Sequence, residues 1–561
     1  MAKPSTSAVP KPAVRLGWRH TLALALVVAG LFAAYLSVEL KQNNEPGFPL
    51  DDSWIHLTFA RNIARGWGFA YNQGEPVAGS TAPLWTLILA FFHSLTRNAT
   101  VMVVTAKLLG AILLLVSAIF AFRIACRLTG NKWLGLAAGL AVATLGPMGW
   151  AMMSGMEVTL SVALTLAGLY YYLRFRSGWR SALAWVLFGL AAWARPESLL
   201  LGALAAFDSL LRRFALRQRQ SLWRGFGIWL AIVLAWLGFN YSLSHTLFPL
   251  TYVAKAGNTS LFNAIAVGSF SQIKGLLTLG APSYFAEFCV HLWRANPVLC
   301  LLVPVGLVGL VASAFRRGND SGFLIPLVVL GYAPLIGLVS PTFGAAFQSG
   351  RYIGNVTALA AVVGVIGVAY LWRWIRRRAA GIAVTAILLV MVLFNVVTVS
   401  AATIRNTTQD ESSINRMQVT LGRWLAGNAP AGATIGCDDV GAIGYFSDRR
   451  IFDLHGLVTR QMLGYEHDEA GFMAFLKTWK PAYLAIFPGQ YSYLKDAPFL
   501  QVATYAEVRD NTASVILFTP RAKAVAGLLI LDITVEPVPV AMAVFKCNWD
   551  QFLPGATGRR D

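Results

Sequence analysis

Charge is what this sequence has least of. Of 561 residues only 13% are Asp, Glu, Lys or Arg, while 56% are apolar and the mean hydropathy is +0.58. Soluble globular chains carry about 25% charged residues, so the composition excludes a water-soluble fold and makes hydrocarbon the solvent of much of the surface. Acidic residues are scarcer still, 26 against 46 basic for a net charge of +20. That excess does not form a nucleic-acid patch, because it comes as short clusters between long apolar runs: Arg174 to Arg180, Arg212 to Arg224, Arg316 with Arg317, and Arg373 to Arg378. Such spacing is that of cytoplasmic loops under the positive-inside rule. Cysteine is sparse, with no CxxC and no His/Cys cluster at zinc-ligand spacing among Cys126, Cys289, Cys300, Cys437 and Cys547, which argues against a cysteine zinc site. Cys437 and Cys547 keep two readings, a disulfide in an oxidising compartment or two unpaired thiols. Nucleotide fingerprints are missing too: there is no GxxxxGK[ST], and no GxGxxG follows a strand. No internal repeat or low-complexity stretch is evident.

What is present is a series of apolar runs of the length a spanning helix needs, about 20 residues. They fall at roughly 20–39, 101–123, 133–150, 157–174, 180–194, 197–212, 223–243, 297–315, 322–340, 353–374 and 380–402, and predict an α-helical polytopic membrane protein of about eleven spans. The first run follows Lys11, Arg15 and Arg19 like a signal peptide, but its length and the lack of a small-residue cleavage site mark an uncleaved span with a cytoplasmic N-terminus. Leu84 to Leu95 is apolar but short, and reads as an interfacial helix. An odd count starting inside puts every basic cluster, including Arg123 to Lys132 and Arg316 to Asp320, in the cytoplasm. It sends 40–100, 151–156, 194–197, 244–296, 341–352 and the tail outside, in a cell inner (plasma) membrane.

From 403 the chain gains acidic residues, turns and short alternating strands, among them Ala482 to Phe487 and Ser514 to Phe518. A strand at Ala433 to Gly436, a turn at Asp438 and Asp439, a short helix and a strand at Arg450 to Leu454 predict an extracytoplasmic α/β domain. The expected domains are thus 1–402, within the membrane and carrying the outer loop 40–100, and 403–561, soluble.

The first outer loop holds Asp51-Asp52-Ser53-Trp54-Ile55-His56 and continues through Arg61 to Tyr71 and Asn72. Adjacent carboxylates near an apolar surface raise each other's proton affinity, which suits one of them to act as a general base toward a hydroxyl. The structural alternative is that Asp51 caps an amphipathic helix over 52–65 with Asp52 in its first turn. Asp52 and His56, four apart, are compatible with a divalent cation on two ligands. Further polar residues at span ends fall on the same face: Ser154 to Glu157, Arg195-Pro196-Glu197, Lys255, and Arg351 with Tyr352. Charges beside hydrocarbon pair or serve a site. Arg195 and Glu197 also read as a salt bridge at a tight turn, and Lys255 as a snorkelling side chain. Together the cations and carboxylates suit a substrate with a phosphate leaving group and a hydroxyl acceptor.

The stretch DDSWIHLTFARNIARGWGFAYNQGEPVAGSTAPLW (51–85) resembles the first outer loop of the GT-C superfamily of membrane glycosyltransferases, nearest to the arabinofuranosyltransferase-like subset. SGMEVTL (154–160), ARPES (194–198), FPLTYVAKAG (248–257), GRY (350–352) and DDVGAIGYFSDRRIFDLHGLV (438–458) extend the resemblance through most of the chain. It implies inverting transfer of a sugar from a polyprenyl-phosphate donor to a cell-envelope glycan, lipid or protein outside the cytoplasm. Asp51 or Asp52 would be the base and Lys255, Arg351 and Arg195 would hold the donor phosphate. His56, Arg61, Glu157, Glu197, Tyr252 and Tyr352 would line the cavity. Asp438, Asp439, Asp453 and His455 would belong to the outer domain, shaping an acceptor groove or the fold itself. Trp54 and His56 depart from the small or hydroxyl residues frequent in that family. Beside this stand a transporter or lipid-linked-sugar flippase, which calls for internal repeats and midplane charges, and a non-catalytic partner on the same scaffold.

Overall fold

The computed structural model describes residues 17–551 apart from 176–177, 215–221, 318–322, 376–377, 466–468, 492–493, 495–496, 498, 509–521, 526–527 and 532–539. A helix occupies each of the eleven apolar runs. Six helices are long and apolar enough to cross a bilayer: Trp18–Asn43, Ala99–Thr129, Trp223–Ser244, Pro297–Phe315, Phe347–Trp374 and Gly381–Asn428. Lys132–Thr144 and Gly146–Met153 make a seventh if taken as one span bent by 56°. The bend falls where Leu145 is extended and Pro147 has no N–H to continue the helical ladder. Val158–Arg174, Trp179–Ala194, Leu199–Phe214 and Leu324–Val339 have only 16 or 17 residues. At 1.5 Å per residue they reach roughly 25 Å, short of a hydrocarbon core of about 30 Å. By length, the described residues therefore hold six or seven crossings where eleven are expected.

Close approach within the bundle depends on missing side chains. A Cβ on Gly367 would sit 2.4 Å from the Leu302 carbonyl, and one on Gly306 2.2 Å from that of Val363. Small residues at such points let two helices pack backbone to backbone, the principal way helices adhere in lipid.

The loop 40–100 folds into the helix Asp52–Ala64, the short antiparallel pair Ala70–Asn72 with Glu75–Pro76, and the helix Pro83–Leu95. The expected amphipathic character of 52–65 is absent, because every residue from Ser53 to Asn62 is buried. Pro83–Leu95 covers one side of this helix and Gly441–Ser447, from the tail, covers another.

The tail joins the membrane part without a break in the helix. Arg378–Ile414 passes through a π-turn at Asn415–Val419 into Thr420–Asn428, so the expected boundary at 402 falls inside a helix. Beyond it lies a five-stranded sheet in the order Arg450–Asp453, Thr434–Cys437, Tyr483–Ile486, Val540–Cys547, Leu500–Val508. The first three strands are parallel, and Val540–Cys547 pairs antiparallel with both its neighbours. The expected strands near 433, 450 and 482 are all present, while Ser514 to Phe518 lies outside the described residues. Cys437 and Cys547 are free thiols. Their strands flank Tyr483–Ile486, so two strand spacings, roughly 10 Å, hold them beyond disulfide reach.

Candidate active site

The two aspartates that start the loop helix face different surroundings. Asp51 makes no side-chain cap on its own helix. Its buried carboxylate instead accepts hydrogen bonds from the backbone N–H of Gly441 (2.6 Å) and Ala442 (2.8 Å), in the part of the chain that carries the sheet. Glycine is required at 441, where a Cβ would lie 2.0 Å from the Asp51 carbonyl oxygen. Burial, then the charge of Asp439, push the Asp51 pKa well above the carboxylate range, against the lowering effect of the two N–H groups.

Asp52 opens instead into a cleft with about 1160 Å³ of empty space, open solvent at its mouth included. Arg351 Nη1 lies 2.9 Å and Lys255 Nζ 3.5 Å from its Oδ2. Burial acts to raise the Asp52 pKa, but the charges of Lys255 and Arg351 outweigh it and hold the carboxyl well below its usual range. Arg351 is buried, donates from Nη2 to Tyr352 Oη at 3.0 Å, and leaves Nε without a hydrogen bond among the described residues.

Around the cleft the remaining charges form a second group. Arg195 Nη1 meets Glu157 Oε1 at 2.6 Å, and its Nε lies 3.4 Å from Glu197 Oε2. His56 Nε2 is 3.2 Å from Glu157 Oε2, while its Nδ1 is 2.9 Å from Ser80 Oγ. Tyr352 joins the two groups, with the guanidinium carbons of Arg195 and Arg351 at 5.2 and 5.0 Å from its ring centroid. Lys255 sits 5.8 Å from the Phe343 ring, and Tyr252 donates to the Val339 carbonyl at 2.6 Å. Arg195 is thus matched by two carboxylates, whereas Lys255 and Arg351 share one. The surplus of positive charge lies beside Asp52.

Several residues stand elsewhere than the sequence reading put them. Arg61 does not line the cleft. It donates to the Tyr445 carbonyl at 2.5 Å and pairs with Asp448 at 3.2 Å, tying the loop to the outer domain. Both His56 nitrogens are engaged, one with Glu157 and the other with Ser80. Among the described residues no three His, Cys, Asp or Glu side chains group to hold a metal. Asp438 accepts from Tyr491 Oη (2.5 Å) and the Phe487 N–H, while Asp453 accepts from the N–H groups of His455 and Val458. Both are spent on the fold of the sheet domain, one of the two roles expected of them. Asp439 accepts from Gln418 at 2.7 Å, and half-exposed His455 has Nε2 3.7 Å from Asp438. Sequence reasoning missed the amide cradle at 441–442, which has no signature, and the buried ion triad of Lys107 with Glu39 (2.5 Å) and Glu411 (2.8 Å). A lysine in the middle of the 101–123 run was the available signal.

Residues 404–521 match a family model described as a domain of unknown function (DUF8728). No curated protein matches. Among solved structures, the oligosaccharyltransferase AglB of Archaeoglobus fulgidus, in complex with an inhibitory peptide and a dolichol-phosphate, aligns over 84% of this chain and 70% of its own, at 10% identity and a TM-score of 0.57. ArnT of Cupriavidus metallidurans, bound to undecaprenyl phosphate, aligns over 93% of this chain and 97% of its own, at 12% identity and a TM-score of 0.52. The chain has the GT-C fold. In this GT-C fold the loop 40–100, the turn at 195–197, the segment around Lys255 and the start of the helix after Arg351 all converge on one cleft.

Proposed function

We propose that the chain is a membrane glycosyltransferase that moves a sugar from a polyprenyl-phosphate donor to a hydroxyl of a cell-envelope acceptor, outside the cytoplasm and with inversion. The observation that carries this reading is the sharing of Asp52 by Arg351 and Lys255 inside a cleft otherwise rich in apolar side chains. Two cations around one carboxylate form a site that a phosphate can enter by displacing that carboxylate. Polyprenyl tails partition into the bilayer and bring their head groups to its surface, and the lipid phosphates named with AglB and ArnT support a donor of this class.

The chemistry follows from the displacement. While Asp52 is held by Lys255 and Arg351 it is a weak base. Once donor phosphate occupies those cations, its carboxyl returns toward the ordinary carboxylate range and can accept a proton. The acceptor oxygen then bonds to the anomeric carbon as the bond from that carbon to the phosphate oxygen breaks, and the acceptor proton passes to Asp52. The departing polyprenyl phosphate stays paired with Lys255 and Arg351. Asp51, turned to the outer domain, is the docking partner of the pair. Arg195, Glu157, Glu197 and His56 brace the cleft wall.

The finer assignment is a pentofuranose donor, on the resemblance of residues 51–85 to arabinofuranosyltransferases. The inner membrane is its place, with the N-terminus in the cytoplasm and the sheet domain outside. In reconstituted vesicles carrying a polyprenyl-phosphate-linked pentofuranose, Asp52→Asn is expected to lower turnover about 100-fold or more, with insertion unchanged. Full turnover by that variant overturns the base assignment.

A further inference from the structure

Arg351 follows a backbone that few sequences adopt. Gln348, Ser349 and Gly350 have φ of 46°, 56° and 71°, three consecutive residues in the left-handed region, two of them carrying a Cβ. L-residues enter this region singly and at a cost, and such outliers persist only where their surroundings impose them. The consequence is geometric. With these residues right-handed, the helix Gly354–Trp374 would extend backwards through them. The left-handed run ends it, and Arg351 starts a fresh turn directed at Asp52.

What imposes the turn is packed beneath it. A Cβ on Gly350 would lie 2.5 Å from His291 Cε1, so the imidazole fills the space under that residue. His291 belongs to the helix Ala281–Ala295 and is buried. Burial, then the charge of Arg294, push its pKa down to about 4, and the ring is neutral at neutral pH. His291 Nε2 and Gln348 Oε1 have no hydrogen-bond partner among the described residues, so shape, rather than a polar link, joins ring and turn. On the other side of the turn, Phe347 stacks on Phe343 at 4.6 Å, and Glu287, one helical turn before His291, accepts from the Ala345 N–H at 2.7 Å.

We propose that His291 is a positioning residue: wedged under the left-handed turn Gln348–Gly350, it sets where Arg351 points and thereby the affinity of the cleft for a lipid phosphate. The inference rests on the reading that Arg351 binds the donor phosphate. Misplacing a charged group by an ångström is enough to lose much of its effect. A neutral ring that the phosphate never touches therefore governs binding through the backbone.

The test is titration of the purified full chain with undecaprenyl phosphate, with thermal unfolding measured in parallel. Gly350→Ala, which adds a Cβ against the ring, is expected to weaken binding about tenfold. His291→Ala is expected to weaken it less, and in the double variant the loss due to Gly350→Ala shrinks because the obstruction is gone. Ser349→Gly relaxes the strained residue, so the melting temperature is unchanged or higher while binding falls. A merely structural turn would move stability and binding in the same direction. Wild-type affinity in folded Ser349→Gly, or independent additive effects of Gly350→Ala and His291→Ala, overturns the proposal. Arg351→Ala separates the two claims. If it abolishes binding while the turn variants leave binding intact, only the positioning role falls, and if it binds as wild type, the phosphate reading itself falls.

Discussion

Asp51 and Asp52 are neighbours in the chain and opposites in their response to acid. Asp52 is held below its ordinary pKa of 3.8, so the stability it contributes is present above that value and lost as pH falls through its folded value. Asp51 is held above 3.8, so its contribution is complete below that value and is lost as pH rises through its folded pKa. Asp51→Asn, which keeps one acceptor for the amides of Gly441 and Ala442 but cannot ionise, is expected to gain stability relative to the wild type as pH rises above 3.8. Parallel melting curves for the two proteins over that range would contradict this. The pair itself was legible in the sequence. Which member faces the cleft was not, because consecutive residues at a helix start point in different directions, and the partner that claims Asp51 lies 390 residues away. The same distance hid the role of Arg61, whose acceptor is Tyr445.

The helix Asp52–Ala64 shows how an element can be right in place and wrong in character. Hydrophobic periodicity finds it, yet its polar residues do not face water. Asn62 donates to the carbonyls of Ala70 and Tyr71, and Arg61 to that of Tyr445. Two partners cover it, and neither is predictable from the helix alone. Its contact with Gly441–Ser447 is the sensitive one. Gly441→Ala places a methyl 2.0 Å from the Asp51 carbonyl, and forcing the helices apart by that amount is expected to cost about 1–3 kcal/mol. Limited proteolysis should then open the loop, and sugar transfer should fall with it. Unchanged protease resistance would show that the contact does not matter. Helix lengths were less legible than helix positions. The break at Leu145 divides the run 133–150, which composition alone reads as continuous.

At the scale of the whole molecule, the positive-inside rule puts the arginine-rich turns and the loop that carries Asp52 on opposite sides of the membrane. A reporter fused after Arg405 is expected to be active only outside the cytoplasm, and cytoplasmic activity would reverse the orientation and remove the proposed donor from reach. That the chain is a helical membrane protein was readable from its apolar runs. The joint between the two parts was not, because the helix that leaves the bilayer continues from Gly381 to Asn428. Lys107, Glu39 and Glu411 rivet that helix to the first and second spans, and Gln418 beyond them meets Asp439. A helix that is anchored in oil and packs at its far end against Gly441–Ser447 links the bilayer to the loop that carries Asp51. When acyl chains lengthen or shorten, helices tilt to match, and the amides beneath Asp51 tilt with them. Transfer rates measured across phosphatidylcholines of graded chain length are expected to pass through an optimum, which would tie the proposed activity to the thickness of the sheet the chain inhabits.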